Sequence, residues 1–483
     1  MDPGALWRIG TAVYRRRRRD GRDPKPLQVA PQNLRESIPE ARKELPSPAR
    51  RLVEQSPEEF AARLRAAGRR RAYVVLDPES GTYRPSHPML AEMADFLREA
   101  ADCDAHEALF FEVGRKTGAL FAALLHKTTR GQAQGGLRHW PYDRMEAFVR
   151  DGLRLARSMT RKSALAGLWW GGGKGLIARQ PGEAYRDPAY RRRLYREYGA
   201  FVSSLRGCYI TAEDVGTTPL DIAEVFRTTR FATSVPQEVG GAGNPSPWTA
   251  AGVVCAMEAA LAFLGLGPLA GKTIAMQGTG NVGSAMIPML LEKGVAHITA
   301  AEICAEQRAA LENAFDGHAV EMRAANPGDR EILAEPCDIL APNALGGVLD
   351  AKTIPSIRAR IVCGAANNPL ADGARGGRAL VERGITYVPD FVANRMGIVA
   401  CANEQYGSVG DDPTVRRHLD PAYPLGIHAI VLRALESARA SDRTPVEAAN
   451  RLADDLAEQP HPIWGPRVRA IVTSLVADGW DTA

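Results

Sequence analysis

Two lysines, Lys162 and Lys174, stand twelve residues apart in a stretch otherwise rich in Ala, Leu, Trp and Gly. Lysine is rarely fully buried unless it is paired. Three glycines directly before Lys174 allow the backbone to approach another group closely, and desolvation lowers a lysine pKa towards the range of proton transfer at neutral pH. The stretch indicates a site where one lysine holds an anionic substrate and the other does chemistry. A mobile glycine loop with a solvated lysine tip is the alternative.

A pair of acids, Glu213 and Asp214, directly follows the apolar run Tyr209-Ile210-Thr211-Ala212. A carboxylate held near a reacting amine can act as a general base. An aspartate before a turn is equally often only a cap, so the residues alone leave this choice open.

A glycine turn opens the second half of the chain. An apolar run at residues 272–277 precedes Gly278-Thr-Gly280-Asn281-Val282-Gly283, and a helix pattern follows it. These glycines allow a tight turn, backbone contact with a pyrophosphate and close helix packing. Glu302 ends the next predicted strand, where a carboxylate binds the ribose 2′-hydroxyl and favours NAD over NADP. A glycine turn in an unrelated α/β fold, with Glu302 as a surface acid, is the alternative.

Size and composition limit the class of protein. The 483 residues carry a net charge of +5 and are enough for two or three domains. Seven cysteines are dispersed singly without metal-ligand spacing, which predicts no metal site and reduced thiols in a cytoplasm. The long apolar stretch at residues 252–271 contains Glu258 and Pro268, so it predicts a buried helix and no membrane span.

The first 87 residues are basic, with 19 Lys and Arg against 11 Asp and Glu. We expect a largely disordered or loosely attached extension with one helix near residues 57–67. Arg15 and the arginines that follow it up to Arg19 suit a solvated tail; contact with RNA, an acidic partner or a membrane, or a targeting role, is the alternative. The remaining chain is slightly acidic, which argues against nucleic-acid binding as the main function.

The elements that position these residues follow from periodicity. Residues 107–113 and 119–126 predict two strands around a turn, and Asp143 is placed to cap the helix that leads to the lysines. Apolar runs at 337–341, 360–364 and 385–389 predict further strands of an open parallel sheet, whose carboxyl ends bind ligands. Thr444 and Glu447 form a capping box. We expect a substrate domain at 88–234 completed by helices at 441–483, and a nucleotide domain at 235–440.

Several motifs, in order along the chain, together resemble the glutamate/leucine/phenylalanine/valine dehydrogenase family, most closely its leucine dehydrogenase-like members. They are Gly135-Gly136, Lys162, Gly-Gly-Gly-Lys174-Gly, Ala-Glu-Asp214-Val-Gly, Gly-Asn-Pro-Ser-Pro-Trp-Thr249, Cys-Asp-Ile-Leu-Ala341-Pro-Asn and Val-Pro-Asp-Phe-Val-Ala-Asn394. The resemblance implies an α/β fold with a substrate domain, a Rossmann-like NAD domain and a cleft between them. It also implies a cytoplasmic homo-oligomer.

The resemblance implies a role for each matched residue. Lys162 binds the α-carboxylate, Lys174 polarises the carbonyl or the attacking water, and Asp214 is the acid/base at the amino group. Gly135, Gly136 and Asn394 orient the substrate; Thr249, Ala341 and Asn367 lie near the nicotinamide; the glycine turn and Glu302 hold the rest of NAD. The implied reaction is reversible oxidative deamination of an L-amino acid to a 2-oxo acid and ammonia.

Departures from the family pattern concern the side-chain pocket. Gln134 stands where glutamate enzymes have lysine and leucine enzymes an apolar residue, with Ile398 and Cys401 as the other expected pocket residues. Met396 replaces a glycine, which predicts a narrowed site or a shifted loop. We expect Trp169 and Trp170 to pack in the core, and a wall of the pocket is the alternative. An uncharged or aliphatic substrate is favoured. A glutamate dehydrogenase, or an idle relative that senses metabolites or binds partners through its basic arm, is the alternative.

Overall fold

The computed structural model describes residues 51–182, 184–407, 409 and 411–482. They form two compact units. The glycine-turn unit comprises Ala260–Tyr387, and the lysine unit comprises the described residues up to Ala259 together with Val388–Ala483. The arginines at 15–19 lie outside the described residues.

The lysine unit is built on an eight-stranded mixed sheet with the order β2-β1-β3-β4-β7-β5-β8, and β6 also pairs with β7. Strands β1, β3, β4 and β7 are antiparallel neighbours, while β5 and β6 run parallel to β7. The strands are β1 (Arg71–Leu76), β2 (Tyr83–Pro85), β3 (Ala108–Val113), β4 (Leu120–Leu125), β5 (Ala133–Gln134), β6 (Leu137–Trp140), β7 (Gly171–Ala178) and β8 (Tyr209–Ile210).

The glycine-turn unit has a six-stranded, fully parallel sheet with the order β11-β10-β9-β12-β13-β14. The chain order changes direction at β9, as it does in doubly wound nucleotide-binding folds. The strands are β9 (Thr273–Gln277), β10 (His297–Glu302), β11 (Val320–Ala324), β12 (Ile339–Pro342), β13 (Ile361–Val362) and β14 (Thr386–Tyr387).

Helices cover these sheets. In chain order they are α1 (Pro57–Ala66), α2 (Ala91–Glu99), α3 (Met145–Leu165), α4 (Pro188–Ser204), α5 (Pro219–Phe226), α6 (Ser246–Leu264), α7 (Asn281–Glu292), α8 (Ala305–Ala314), α9 (Gly373–Glu382), α10 (Asp390–Ala393), α11 (Met396–Glu404), α12 (Pro413–Arg416), α13 (Ile427–Ala440), α14 (Pro445–Ala457) and α15 (Arg467–Ala477). Short 3₁₀ helices occur at Leu52–Glu54, Pro88–Leu90, Ala184–Arg186, Gln237–Val239, Glu331–Ala334, Ile354–Ser356, Arg417–Leu419 and Trp480–Thr482.

Both faces of the central strands in the lysine unit are covered. Leu124 and Leu176 pack with the α1 and α3 side, and Phe121 and Ile177 pack with the α4 and α15 side. Every residue of β3, β4 and β7 is therefore buried. A strand covered on both faces is a near-continuous apolar run rather than an alternating one, so the charged Lys174 inside β7 is exceptional.

Several predicted elements are confirmed. The strand pair at 107–126 forms β3 and β4, and the runs at 337–341, 360–364 and 385–389 contain β12, β13 and β14. The capping box at Thr444 is formed, since its hydroxyl accepts from Glu447 N and the Glu447 carboxylate accepts from Thr444 N. Helix α6, the one helix of the described chain long and apolar enough to span a membrane, is 61% buried within its most apolar window, as in a core helix.

The prediction of a loosely attached extension is wrong for residues 51–87. Strand β1 lies inside the sheet next to β3, and Phe60 and Val74 are fully buried in the core beneath α3. The prediction was based on the basic composition of this segment and did not take account of the apolar residues in the middle of β1. Asp143 does not cap α3 either: Arg144 occupies that position without a side-chain cap. Residues 235–259 and 388–440, assigned to the nucleotide domain, belong to the lysine unit.

Candidate active site

The two lysines lie on the α3 face of the lysine-unit sheet. Lys174 is in the middle of β7, opposite Leu124 of β4, and its side chain is only 4% exposed. A Cβ on Gly172 would lie 2.2 Å from Thr160 N, so this glycine lets the α3 backbone reach β7. The glycines thus allow close packing in a buried strand, and the solvated-loop alternative is wrong.

Lys174 belongs to a buried charge network. Its Nζ donates to Asp214 Oδ2 at 2.8 Å, and Arg138 Nε donates to the same oxygen at 3.0 Å. The Arg138 Nη1 donates to Asp151 Oδ2 at 3.0 Å, and the Tyr142 hydroxyl donates to that oxygen at 2.7 Å. Each charge therefore has an opposite partner, which offsets part of the cost of removing it from water.

The network sets the protonation of its members. Burial opposes ionisation of Asp214, but the charges of Lys174 and Arg138 outweigh it and hold the pKa of Asp214 well below its usual range. Burial lowers the pKa of Lys174, and the Asp214 carboxylate partly offsets this. Glu213 lies outside the network: burial, with the charges of Asp214 and Asp221, raises its pKa to about 7. Asp214 is thus the acid that stays ionised beside the lysine.

Lys162 lies in the last turn of α3 and is half-buried. Burial lowers the pKa of Lys162 to about 8, although the charge of Asp390 works in the opposite direction. Lys174 also lowers the pKa of Lys162, because the two ammonium groups repel. The structure therefore brings both lysines and Asp214 into one electrostatic environment, as the spacing predicted.

The predicted pocket residues of the lysine unit lie on β5, in the loop that follows it, and on α11. Gln134 ends β5 and is 2% exposed, and its Oε1 has no hydrogen-bond partner among the described residues. The carbonyl of Gly135 accepts a hydrogen bond from the Tyr209 hydroxyl at 2.5 Å, and a Cβ on Gly136 would lie 2.8 Å from Asp214 Cβ. The second glycine therefore makes room for the catalytic candidate Asp214.

Residues of α11 and its N-terminal flank complete the pocket side. Asn394 is buried. Ile398 is buried in an apolar cluster, and Cys401 is buried with its Sγ 3.0 Å from Ser234 Oγ. The cluster comprises Trp170, Ile210, Ile398 and Ala402, with Met159, Leu168 and Phe231 packed against it.

Met396 is fully buried beside Gly252 of α6. A Cβ on Gly252 would lie 2.7 Å from Met396 Cγ, so the absent side chain of Gly252 accommodates the methionine. The volume that Met396 adds is taken up inside the lysine unit. The two tryptophans differ. Trp170 is buried in the apolar cluster with Ile210 and Ile398. The prediction of core packing is wrong for Trp169, which is 41% exposed and has its ring centroid 4.3 Å from the Arg130 guanidinium carbon.

The glycine turn has the geometry of a phosphate cradle. A Cβ on Gly283 would lie 2.4 Å from Gly278 O, so the turn closes tightly on α7. At Gly280, the N-cap of α7, a Cβ would meet nothing within 4 Å, and both Gly280 and Asn281 are exposed while Val282 is half-buried. This open space at a helix N-terminus suits the approach of a pyrophosphate to the backbone.

Glu302 ends β10 and is buried against the turn. Its Oε2 accepts from Thr279 N at 2.9 Å and from Thr279 Oγ1 at 2.8 Å, and its Oε1 accepts from Cys304 N at 2.9 Å. A carboxylate offers about four acceptor positions, so the remaining capacity suits one ribose hydroxyl. Glu302 also fixes the glycine turn, a role that the sequence reasoning did not predict.

Two polar groups at the carboxyl edge of this sheet were not predicted. Asn343 follows β12 and its Nδ2 has no partner, and Gln277 ends β9 with an unpartnered Oε1. Asn343 could have been predicted, because it is the last residue of the family motif that contains Ala341. Ala341 itself is fully buried inside β12. Arg138 was also missed, although it follows the glycine pair by two residues.

Thr249 and Asn367, the other residues predicted to lie near the nicotinamide, occur in segments of the chain other than those of Gln277 and Asn343. Thr249 is in the first turn of α6, where its Oγ1 donates to Pro245 O at 3.1 Å. Asn367 precedes Asn368, whose φ of 49° is left-handed, in the loop after β13. No group of three or more His, Cys, Asp or Glu that could hold a metal ion occurs within the described residues.

Comparison with known proteins agrees with this geometry. Residues 240–455 match the family described as Glutamate/Leucine/Phenylalanine/Valine dehydrogenase, and residues 111–231 match its dimerisation domain. Leucine dehydrogenase from Bacillus subtilis is 38% identical over 73% of this chain and 92% of its own length. Valine dehydrogenase from Streptomyces albus is 36% identical over 73% of this chain and 93% of its own length. L-tryptophan dehydrogenase from Nostoc punctiforme has a similar structure, with a TM-score of 0.58 and 31% identity, covering 75% of this chain and 98% of its own.

Proposed function

We propose that this chain, which belongs to the glutamate/leucine/phenylalanine/valine dehydrogenase family, catalyses the NAD-dependent reversible oxidative deamination of an L-amino acid. The observation that carries the proposal is the 2.8 Å contact between Lys174 Nζ and Asp214 Oδ2 inside a fully buried strand region. Deamination needs two proton-transfer groups beside one substrate carbon. A lysine and an aspartate with shifted pKa values supply them.

Lys162 is proposed to hold the substrate α-carboxylate. It lies at the end of α3 on the same side of the sheet as Lys174, and its ammonium is charged below pH values of about 8. Charge-assisted hydrogen bonds to a carboxylate are roughly twice as strong as neutral ones. Asn394 is proposed to orient the substrate, since it is buried at the N-terminal flank of α11 and its amide can both donate and accept hydrogen bonds.

Asp214 is proposed to accept a proton from the substrate ammonium and return it to the departing ammonia. Its carboxylate form is maintained by Lys174 and Arg138. Lys174, whose pKa burial lowers, would orient and deprotonate the water that attacks the imine carbon, then polarise the developing carbonyl. Exclusion of bulk water from this buried site strengthens the electrostatic interactions of both Asp214 and Lys174 with the substrate.

NAD is the hydride acceptor, and the residues of the glycine-turn unit suit it. The open space over Gly280, the carboxylate of Glu302 and the unpartnered Nδ2 of Asn343 offer a backbone cradle, a hydroxyl acceptor and a donor at one sheet edge. A carboxylate at the ribose repels a 2′-phosphate, which favours NAD over NADP. When bound, the nicotinamide supplies the oxidising power for Cα–H cleavage.

The substrate is proposed to carry an uncharged side chain. The side-chain pocket is proposed to be formed by the apolar cluster of Trp170, Ile210, Ile398 and Ala402 together with the neutral amide of Gln134. A substrate side-chain carboxylate would be desolvated there without a counter-charge, which is strongly unfavourable. This disfavours glutamate.

The direct test is turnover. The purified full-length protein is incubated with NAD and a panel of L-amino acids, and the absorbance of the reduced cofactor is followed. We expect reduction with at least one uncharged amino acid and little with L-glutamate. Absence of reduction with every amino acid would contradict the proposal.

Assembly and compartment follow as further parts of the proposal. The match of residues 111–231 to a dimerisation domain supports a homo-oligomer, which light scattering of the purified protein would measure. All seven cysteines are free, and this supports a reducing, cytoplasmic setting. No contact with nucleic acid or membrane is needed for this activity.

A further inference from the structure

The amide of Gln134 is an unusual group for the wall of an aliphatic pocket. The side chain is 2% exposed and its Oε1 has no hydrogen-bond partner among the described residues. Leaving a buried acceptor without a hydrogen-bond partner is unfavourable. Such a group in a native site calls for a partner that the protein itself does not supply.

The register of the sheet directs this amide towards the lysines. Gln134 pairs with Gly172 of β7 in parallel register, and Gly172 is two residues before Lys174. Paired residues share a face, and residues two apart on a strand share that face again. Gln134 and Lys174 therefore project from the same face, on which α3 carries Lys162, at a diagonal separation of roughly 7–8 Å.

The surroundings of the amide exclude water. Ile210 of β8 also pairs with Gln134 and so lies on this face, where it joins Trp170, Ile398 and Ala402. An apolar side chain bound against this cluster would cover Oε1 and leave it unpaired. A side chain with an N–H or O–H group would pair with it.

From this placement we infer that Gln134 selects, among uncharged L-amino acids, those whose side chain donates a hydrogen bond. An amide, hydroxyl or indole N–H belongs to this class, and a purely aliphatic side chain does not. The inference rests on the proposed function, because it assumes that Lys162 and Lys174 hold the substrate backbone.

The test compares substrates of matched shape. The kcat/KM of the full-length protein with NAD is measured for L-asparagine against L-leucine and for L-glutamine against L-methionine. We expect the donor-bearing member to exceed its apolar partner by about tenfold or more in at least one pair, from the cost of an unpaired acceptor. A ratio of one or less in every pair would overturn the inference.

The variant Gln134→Leu gives the second measurement. Removing the acceptor should lower kcat/KM for the donor-bearing member by about tenfold and raise it for the apolar one. Gln132→Leu is the matched control. Gln132 lies two residues before Gln134, and its Nε2 donates to Gly207 O at 2.7 Å. The ratio of kcat/KM between the donor-bearing and the apolar substrate should therefore not change in this variant. A ratio that Gln134→Leu leaves unchanged would overturn the inference.

The outcomes separate the two proposals. If no amino acid reduces NAD, the proposed dehydrogenase function fails. If amino acids are oxidised but only those without a side-chain donor, the dehydrogenase function stands and the role of Gln134 fails. If Gln134→Leu does not fold, the substrate pairs measured with the unaltered protein still decide the question.

Discussion

The candidate site of the lysine unit centres on a network of paired charges, whereas the glycine turn combines unpartnered amide groups with open backbone. In the lysine unit, Lys174, Asp214 and Arg138 pair with one another through contacts of 2.8 and 3.0 Å. In the glycine-turn unit, the side-chain atoms Asn343 Nδ2 and Gln277 Oε1 have no hydrogen-bond partners among the described residues. A Cβ added at Gly280 would meet no protein atom within 4 Å. The charges proposed to act in catalysis are already positioned by one another. The groups proposed to bind NAD have hydrogen-bonding capacity left for a ligand.

The lysine unit contains both kinds of group, which sharpens the comparison. The charges of the Lys174, Asp214, Arg138 and Asp151 network are paired, whereas the Oε1 of Gln134 has no partner among the described residues. An unpaired buried charge would cost much more than an unpaired amide. Preorganised charges reduce reorganisation in the transition state, and unpaired amides gain most from a matching ligand.

The largest expected effect is the loss of Lys174. Lys174→Met keeps most of the side-chain volume but removes the group that acts on water and carbonyl, so we expect kcat to fall by about 10³-fold or more. Binding of NAD, measured by fluorescence, should not change. Lys116→Met, at an exposed lysine, is the control and should retain full activity. Substantial activity in Lys174→Met would break the assignment of chemistry to the lysine unit.

Removing Arg138 tests whether the network sets the pKa of Asp214. That pKa is low because Lys174 and Arg138 overcome the effect of burial. In Arg138→Met one of these charges is gone, so the pKa of Asp214 rises and the carboxylate is lost at a higher pH. We expect the acid limb of the kcat profile to move up by about one unit or more, with kcat at neutral pH reduced about tenfold. An unchanged profile would mean that Arg138 only packs.

The pH dependence of substrate binding tests Lys162. With a pKa of about 8, lowered chiefly by burial, Lys162 loses its charge as the pH rises through that value. The kcat/KM for the amino acid should therefore fall about tenfold per pH unit above that point once Lys162 is the limiting group. Asp390 raises the pKa of Lys162, so Asp390→Asn should move this limb to lower pH. A limb that stays in place would contradict the pairing of these charges.

Much of the fold was predictable because periodicity and turn residues mark regular elements. The strands β9, β10 and β12 and the capping box of α14 follow local rules. Strand β1 was missed because its flanks are basic, and β11 because its residues Val320, Glu321, Met322 and Arg323 form no continuous apolar run. The return of residues 388–440 to the lysine unit depends on long-range packing, which no local pattern encodes.

The site shows the same division between local and distant information. Lys162, Lys174 and Asp214 were predicted from residue type and setting. Arg138 could not be, because its importance comes from a register that places β6 beside β7 and from a partner, Asp151, thirteen residues away on α3. The packing of Met396 against Gly252 likewise involves two residues far apart in the sequence, so no local pattern predicts it.

The smallest expected effect lies in the glycine-turn unit and comes from a single methyl group. In Gly280→Ala the new Cβ enters space that contains no protein atom within 4 Å, so the midpoint of thermal unfolding should not change. The methyl would occupy the space into which a pyrophosphate must come, and we expect the KM for NAD to rise about tenfold, with the KM for the amino acid unaltered. Gly283→Ala is the matched comparison: its Cβ would lie 2.4 Å from Gly278 O, so this variant should lose stability. If Gly280→Ala lowered the unfolding midpoint and left the KM for NAD unchanged, Gly280 would serve packing, and the contrast between a closed lysine unit and an open glycine turn would fail.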